Sequence, residues 1–307
     1  MPDELVIVHR MGRASSGMTQ RLAELVPGAA VREWPGPGQV LLTFDFPWRD
    51  GDRYLPDEVE WVHILGAGVG GFPFELLQGR PLTCSKGASA VPIAEWVLAV
   101  VLAFEKQVPE SWLHEPPEAW NRATLGEVAG KTLALVGIGA IGTEIARRAL
   151  AFDMRVVALR RSSRALPLEG VTLAATLPEV LNDADHVVIA APATTGTHHL
   201  IDKAAFAEMK DGVHIVNIAR GTLIDQDALI AALDDGKVAR ASLDVVDPEP
   251  LPAGHPLYTH PKVRLTPHIS WSSPVTMPRT MGIFLDNLRR FRAGEPLEGL
   301  VDVEAGY

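Results

Sequence analysis

Three side chains in the second half of the chain have the chemistry to move a proton and to hold an acid. Arg220 stands in Val216-Asn-Ile-Ala-Arg-Gly221, Glu249 in Leu243-Asp-Val-Val-Asp-Pro-Glu-Pro-Leu-Pro252, and His268 in Leu265-Thr-Pro-His-Ile-Ser270. Imidazole titrates near neutral pH and suits proton transfer. A carboxylate on its other ring nitrogen favours the charged form and fixes the ring. A guanidinium can grip a carboxylate with two hydrogen bonds and polarise an adjacent carbonyl. Reduction of a 2-keto acid requires these services, together with a hydride. Each residue also has a plainer reading: Arg220 in a surface ion pair, His268 as a satisfied loop histidine, Glu249 in a solvated turn.

A hydride donor is suggested upstream. Residues 132–136 are a continuous apolar run, as for a strand buried on both faces of a parallel sheet. The pattern Gly137-x-Gly139-x-x-Gly142 follows and includes Ala140 and Ile141; a helical pattern then runs from Thr143 to Phe152. Strand, glycine turn and helix in that order make a dinucleotide-binding fingerprint. Gly137 permits the turn, Gly139 lets backbone approach a pyrophosphate at the helix start, and Gly142 lets the helix lie close to the strand. In an NAD-preferring unit the next strand ends in an acid. Here it ends Leu159-Arg160-Arg161-Ser162, where guanidinium groups and a hydroxyl can receive a 2′-phosphate, so NADP(H) is expected over NAD(H).

Around these residues, apolar strands alternate with short helical patterns. Strands are expected at 5–8, 40–43, 61–65, 132–136, 155–159, 186–191, 213–218, 239–245 and 263–266. Helices are expected at 19–25, 92–108, 177–183, 203–209, 225–233 and 281–292. Such alternation implies a doubly wound parallel sheet. In an open sheet of that kind, the loops at the carboxyl ends of the strands surround the ligand crevice, so Arg220, Glu249 and His268 can converge there.

Bulk composition narrows the class. The 307 residues carry a formal net charge of -10, so no general attraction to nucleic acid is expected. The one cysteine, Cys84, excludes an internal disulfide framework and fits a reducing cytoplasm. No apolar run is long enough to span a membrane. His198, His199, His255 and His260 lack a ligand set that suggests metal.

Four stretches in order closely resemble the D-isomer-specific 2-hydroxyacid dehydrogenase family: 137–142, 216–221, 243–252 and 266–268. The match runs from about Gly66 to the C-terminus. The resemblance implies a Rossmann-type α/β domain at 94–273 and a smaller flavodoxin-like α/β domain at 1–93 plus 274–307. It also implies a homodimer. By motif, Arg220 binds substrate, His268 is the acid/base and Glu249 its partner. Gly68, Val69 and Gly70 form a turn whose amides meet the substrate carboxylate. Asp244 meets the nicotinamide carboxamide, and Pro192, Thr197 and Ala219 line the cofactor. Trp271 is a candidate pocket wall. Arg160 departs from the NAD-using members and, with Arg161 and Ser162, resembles the NADP-using glyoxylate and hydroxypyruvate reductases. Glu249 stands where formate dehydrogenases of the superfamily carry Gln, which argues against that activity. A nucleotide-sensing binding protein and a D-3-phosphoglycerate dehydrogenase-like enzyme are the rival readings.

Overall fold

The computed structural model describes residues 4–12, 17–44, 54–121, 124–161, 166 and 168–307. The chain forms two compact units, one from Met1–Ala88 with Ser273–Tyr307 and one from Ser89–Ser272. The first boundary falls ahead of the expected 93/94 because one uninterrupted helix begins at Ala90. That whole helix packs into the second unit's core, and Pro92 is accommodated in its first turn rather than opening it.

Unit 1 is a five-stranded parallel sheet. Its strands are β1 (Val6–Arg10), β2 (Ala30–Glu33), β3 (Val40–Thr43), β4 (Trp61–Ile64) and β5 (Leu82–Cys84), in the order β2-β1-β3-β4-β5. This is the flavodoxin-like order. The apolar runs in β3 and β4 are buried throughout, as double coverage requires. Helix α1 (Met18–Leu25) turns Met18 and Leu22 inward. The C-terminal helix returns to this unit as expected, and starts earlier than 281, at Thr276. It buries Met281, Phe284 and Leu288 in the same cluster as Trp61, whose ring stacks on Phe284 at 5.6 Å.

Unit 2 holds a seven-stranded parallel sheet: β6 (Thr132–Val136), β7 (Arg155–Leu159), β8 (Val171–Ala174), β9 (His186–Ile189), β10 (Val213–Asn217), β11 (Val238–Leu243) and β12 (Val263–Leu265). The order β12-β11-β10-β9-β6-β7-β8 reverses direction between β6 and β9, which makes the switch point of a Rossmann-type sheet. Helices α2 (Ala90–Glu105) and α3 (Ala140–Ala151) cover one face, with Val97, Val101 and Ile145 packed on Leu133 and Leu135. Helices α4 (Leu177–Leu181), α5 (Lys203–Glu208) and α6 (Gln226–Asp234) contribute Val180, Phe206 and Leu229 to the other. Burial of each such side chain contributes about 1.5–3 kcal/mol. Among the described residues no helix is long and apolar enough to cross a membrane.

Candidate active site

The sheet of unit 2 sends its sequence-predicted residues to one end. Gly137 follows β6, Arg160 follows β7, Pro192 lies beyond β9, Arg220 beyond β10, Glu249 beyond β11 and His268 beyond β12. Every one lies past the carboxyl end of its strand.

The glycine turn is built for close backbone approach. Gly137 has φ +103, and a Cβ there would stand 2.7 Å from the Ala191 nitrogen. A Cβ on Gly142 would stand 2.7 Å from the Gly137 carbonyl oxygen, so helix and turn touch through backbone alone. Gly139 faces open space, and it caps α3 without a side-chain hydrogen bond. The first amides of α3 are thus left for an anion. Ala140 and Ile141 are the first two residues of that helix. At the tip of β7, the buried Nε of Arg160 has no hydrogen-bond partner among the described residues. A buried guanidinium donor without an acceptor fits a 2′-phosphate at this place. Arg161 is exposed beside it, and Ser162 lies outside the described residues. The residues present therefore fit a dinucleotide. Beyond β9, the Thr197 hydroxyl donates to the Pro192 carbonyl at 2.8 Å and accepts from the Thr194 amide at 2.8 Å, which fixes the expected cofactor-lining loop.

The expected His268–Glu249 pair is in contact. His268 Nδ1–H donates to Glu249 Oε2 at 2.8 Å, leaving Nε2 as the nitrogen that can meet a substrate. Burial alone would raise the Glu249 carboxyl, but the bond and charge of His268, the Val246 amide and the Arg220 charge together hold it below its usual value. Arg220 is therefore close enough to act electrostatically on the pair.

The backbone around each side chain is fixed by neighbouring groups, of which sequence reasoning did not single out Asn217 or Thr266. His268 has φ +54, unusual for a side chain with a Cβ. Its amide donates to the Asp244 carbonyl at 2.9 Å. The Asp244 carboxylate accepts from the Thr266 hydroxyl at 2.6 Å, the Ile269 amide at 2.8 Å and the Ser270 amide at 2.9 Å. Asp244, expected at the nicotinamide carboxamide, is 1% exposed, and these bonds clamp the turn that carries His268. Trp271, expected as a pocket wall, is 41% exposed and donates from Nε1 to the His268 carbonyl at 2.8 Å.

Asn217 does the same for Arg220. Its amide group accepts from the Ala219 N–H at 3.0 Å and donates to the Arg220 carbonyl at 3.0 Å. The Arg220 Nη1 donates to the Ala219 carbonyl at 2.7 Å, so Ala219 shapes the arginine. The Gly68–Gly70 turn belongs to unit 1. Val69 is buried there, and its carbonyl accepts from the Phe72 amide at 3.0 Å.

The sequence profile of the D-isomer specific 2-hydroxyacid dehydrogenase NAD binding domain matches residues 98–270, more than half of the chain. The chain belongs to the D-isomer-specific 2-hydroxyacid dehydrogenase family. As a family member it is an NAD(P)-dependent oxidoreductase. It is 30% identical over 306 residues to glyoxylate/hydroxypyruvate reductase A of Yersinia enterocolitica, covering 95% of each chain. It is 41% identical over 241 residues to 4-methyl-2-oxopentanoate reductase A of Aspergillus oryzae, covering 76% of this chain and 72% of that one. The crystal structure of an NADPH-dependent glyoxylate/hydroxypyruvate reductase from Sinorhizobium meliloti, in complex with NADP and sulfate, superposes with a TM-score of 0.84. That match has 26% identity and covers 99% of this chain and 100% of the other. Within the dehydrogenase family, the Arg-Glu-His set in this member comes from three successive strand ends.

Proposed function

We propose that this dehydrogenase reduces a small 2-keto acid of the glyoxylate or hydroxypyruvate kind to the D-2-hydroxy acid, with NADPH preferred. The 2.8 Å contact of His268 with Glu249, within the field of Arg220, carries the reading. The bound nicotinamide supplies the hydride. Arg220 holds the substrate carboxylate and polarises the neighbouring carbonyl. The backbone amides of Val69 and Gly70 are proposed as donors to an anionic group of the substrate. As the carbonyl carbon gains the hydride, His268 Nε2–H gives its proton to the carbonyl oxygen and the ring becomes neutral. Glu249 favours the charged ring before the step and fixes Nδ1 as the inner nitrogen. Solvent returns the proton afterwards. Arg160, with Arg161 and Ser162, is proposed to select the 2′-phosphate. A homodimer is also proposed; Trp112, Leu113 and Trp120, exposed after α2, offer such an assembly an apolar surface.

A panel of 2-keto acids assayed with limiting NADPH and with limiting NADH tests these statements. Turnover of glyoxylate or hydroxypyruvate, faster with NADPH, is expected. No turnover of any keto acid overturns the substrate class, and a preference for NADH overturns the role given to Arg160.

A further inference from the structure

The Glu249 carboxylate is placed by a loop with few holds. Residues 247–250 are exposed and bridge the buried Val245 and Leu251. Within the loop, Glu249 Oε1 accepts from the Val246 amide at 3.3 Å, a long bond. From outside the loop, the hydrogen bonds described for the backbone of 246–250 come from one side chain, Gln226. Its Nε2 donates to the Asp247 carbonyl at 2.5 Å, and its Oε1 accepts from the Asp247 amide at 3.1 Å. One partner can only accept and the other only donate, so the orientation of the amide is fixed by chemistry. Two bonds to one residue set both the position and the tilt of its backbone, much as a neighbouring strand would.

Gln226 is itself well anchored. It is the first residue of α6, and the N-cap Asp225 accepts from the Asp227 and Ala228 amides at 3.1 Å each. The Asp225 amide in turn donates to the Ile201 carbonyl at 3.0 Å. Next to this tie, Gly221 lies hard against the loop: a Cβ there would fall 1.9 Å from the Val246 carbonyl carbon. The turn carrying Arg220 and the loop carrying Glu249 therefore abut at Gly221 and are fastened at Gln226.

We propose that Gln226 is a positioning residue for proton transfer, holding Asp247 so that the carboxylate two residues on meets His268. This rests on the acid/base reading of Glu249 and His268 given above. Without the amide, the exposed loop gains freedom, the carboxylate spends less time on Nδ1, and the charged ring loses its partner. The effect falls on the chemical step rather than on cofactor binding, because the glycine turn and Arg160 stand on other strands.

The test compares the full-length protein with Gln226→Leu, which keeps the bulk and removes both bonds. Gln226→Met is the second variant; it is unbranched and compatible with a helix start should Leu fold poorly. The kcat for keto-acid reduction is expected to fall about tenfold, as for other groups that orient a reacting side chain. KM is expected to change by less than about twofold, and the alkaline limb of the kcat/KM profile to move to lower pH by about one unit, the same tenfold expressed as proton affinity. NADPH affinity by fluorescence titration is expected to stay unchanged. A loss confined to thermal stability, with the pH profile in place, overturns the proposal. In 15N-histidine NMR without substrate, the His268 Nδ1 signal is expected to move in the variants as its 2.8 Å bond to Glu249 weakens; identical spectra overturn it. That readout needs no turnover, whereas failure of the proposed function shows in the unaltered protein as an absence of keto-acid reduction.

Discussion

Unit 2 holds two carboxylate–imidazole pairs in contrasting surroundings. Glu249 and His268 meet at 2.8 Å with side chains 37% and 38% exposed, at the carboxyl end of the sheet. Glu105 and His186 stand 3.2 Å apart with side chains 3% and 0% exposed, and His186 opens β9 at the opposite end. The buried pair is enclosed by its own chain, although His186 Nε2 makes no well-aligned hydrogen bond. Lys131 Nζ donates to Glu105 at 2.7 Å, and His186 Nδ1 contacts His214 Nδ1 at 3.2 Å. His214 Nε2 contacts the Ser242 hydroxyl at 2.9 Å, and its ring stacks on Phe104 at 4.6 Å. At the exposed pair, His268 Nε2 has no partner among the described residues. The same two functional groups are thus enclosed in one place and proposed to react in the other. What separates them is access: the His268 side chain is 38% exposed, whereas that of His186 is fully buried.

Substitutions can break this contrast, and the largest effect is expected at His268. His268→Ala should lower kcat for keto-acid reduction by about 10²–10⁴-fold with fold and NADPH affinity kept. Retained turnover would remove the acid role. Glu249→Gln comes next, with a loss of about 10–100-fold and an alkaline limb displaced to lower pH, because an amide does not favour the charged ring. Its thermal midpoint should scarcely change, since exposed pairs contribute about 0–1 kcal/mol.

Glu105→Gln should reverse that pattern. Stability should fall by about 2–3 kcal/mol; breaking a buried ion pair costs more, but Lys131 is partly solvated and recovers some of it. The thermal midpoint should drop by roughly 5–10 °C, with kcat per folded molecule unchanged. A fall in kcat at constant stability would show that the two ends of the sheet are coupled.

The smallest effect is the acid response of the buried pair. Burial by itself raises the Glu105 carboxyl, and contact with His186 and Lys131 outweighs burial, so the group ionises below its usual 4.5. A depressed carboxyl contributes stability that is complete above the unfolded value and lost as pH falls through the folded one. The midpoint of the unaltered protein should therefore decline more steeply below pH 4.5 than that of Glu105→Gln. Parallel curves would contradict this.

The contrast also marks how far sequence reading reaches. Strands β3 and β6 are apolar but for one terminal threonine, and β4 and β10 remain mostly apolar around His63, His214 and Asn217, so all four read directly. Strands β2 and β8 escape it because they lie at sheet edges, half exposed, with Arg32, Glu33 and Thr172 in their short spans. Strand β5 is only three residues long. Strand β1 runs on to Arg10 rather than stopping at Val8, its polar end hidden because His9 is buried against Thr19. The acid/base set reads from its strand-end positions. Its supports do not: Gln226 reaches a loop 21 residues away, and the Asp244 carboxylate reaches Thr266 across 22 residues. Glu105 reads as the polar end of a helix, yet folding buries it because Lys131 and His186 arrive from distant strands.

The strand order has a consequence for how this enzyme can change. The glycine turn proposed for the pyrophosphate and the Arg160 tip lie on the β6–β8 flank, while Arg220, Glu249 and His268 lie on the β10–β12 flank. Mutation at the Arg160 tip is therefore expected to retune which dinucleotide is preferred with little effect on the proposed proton chemistry. Under the proposed roles, cofactor choice and proton transfer sit on opposite sides of the point where the sheet reverses its winding.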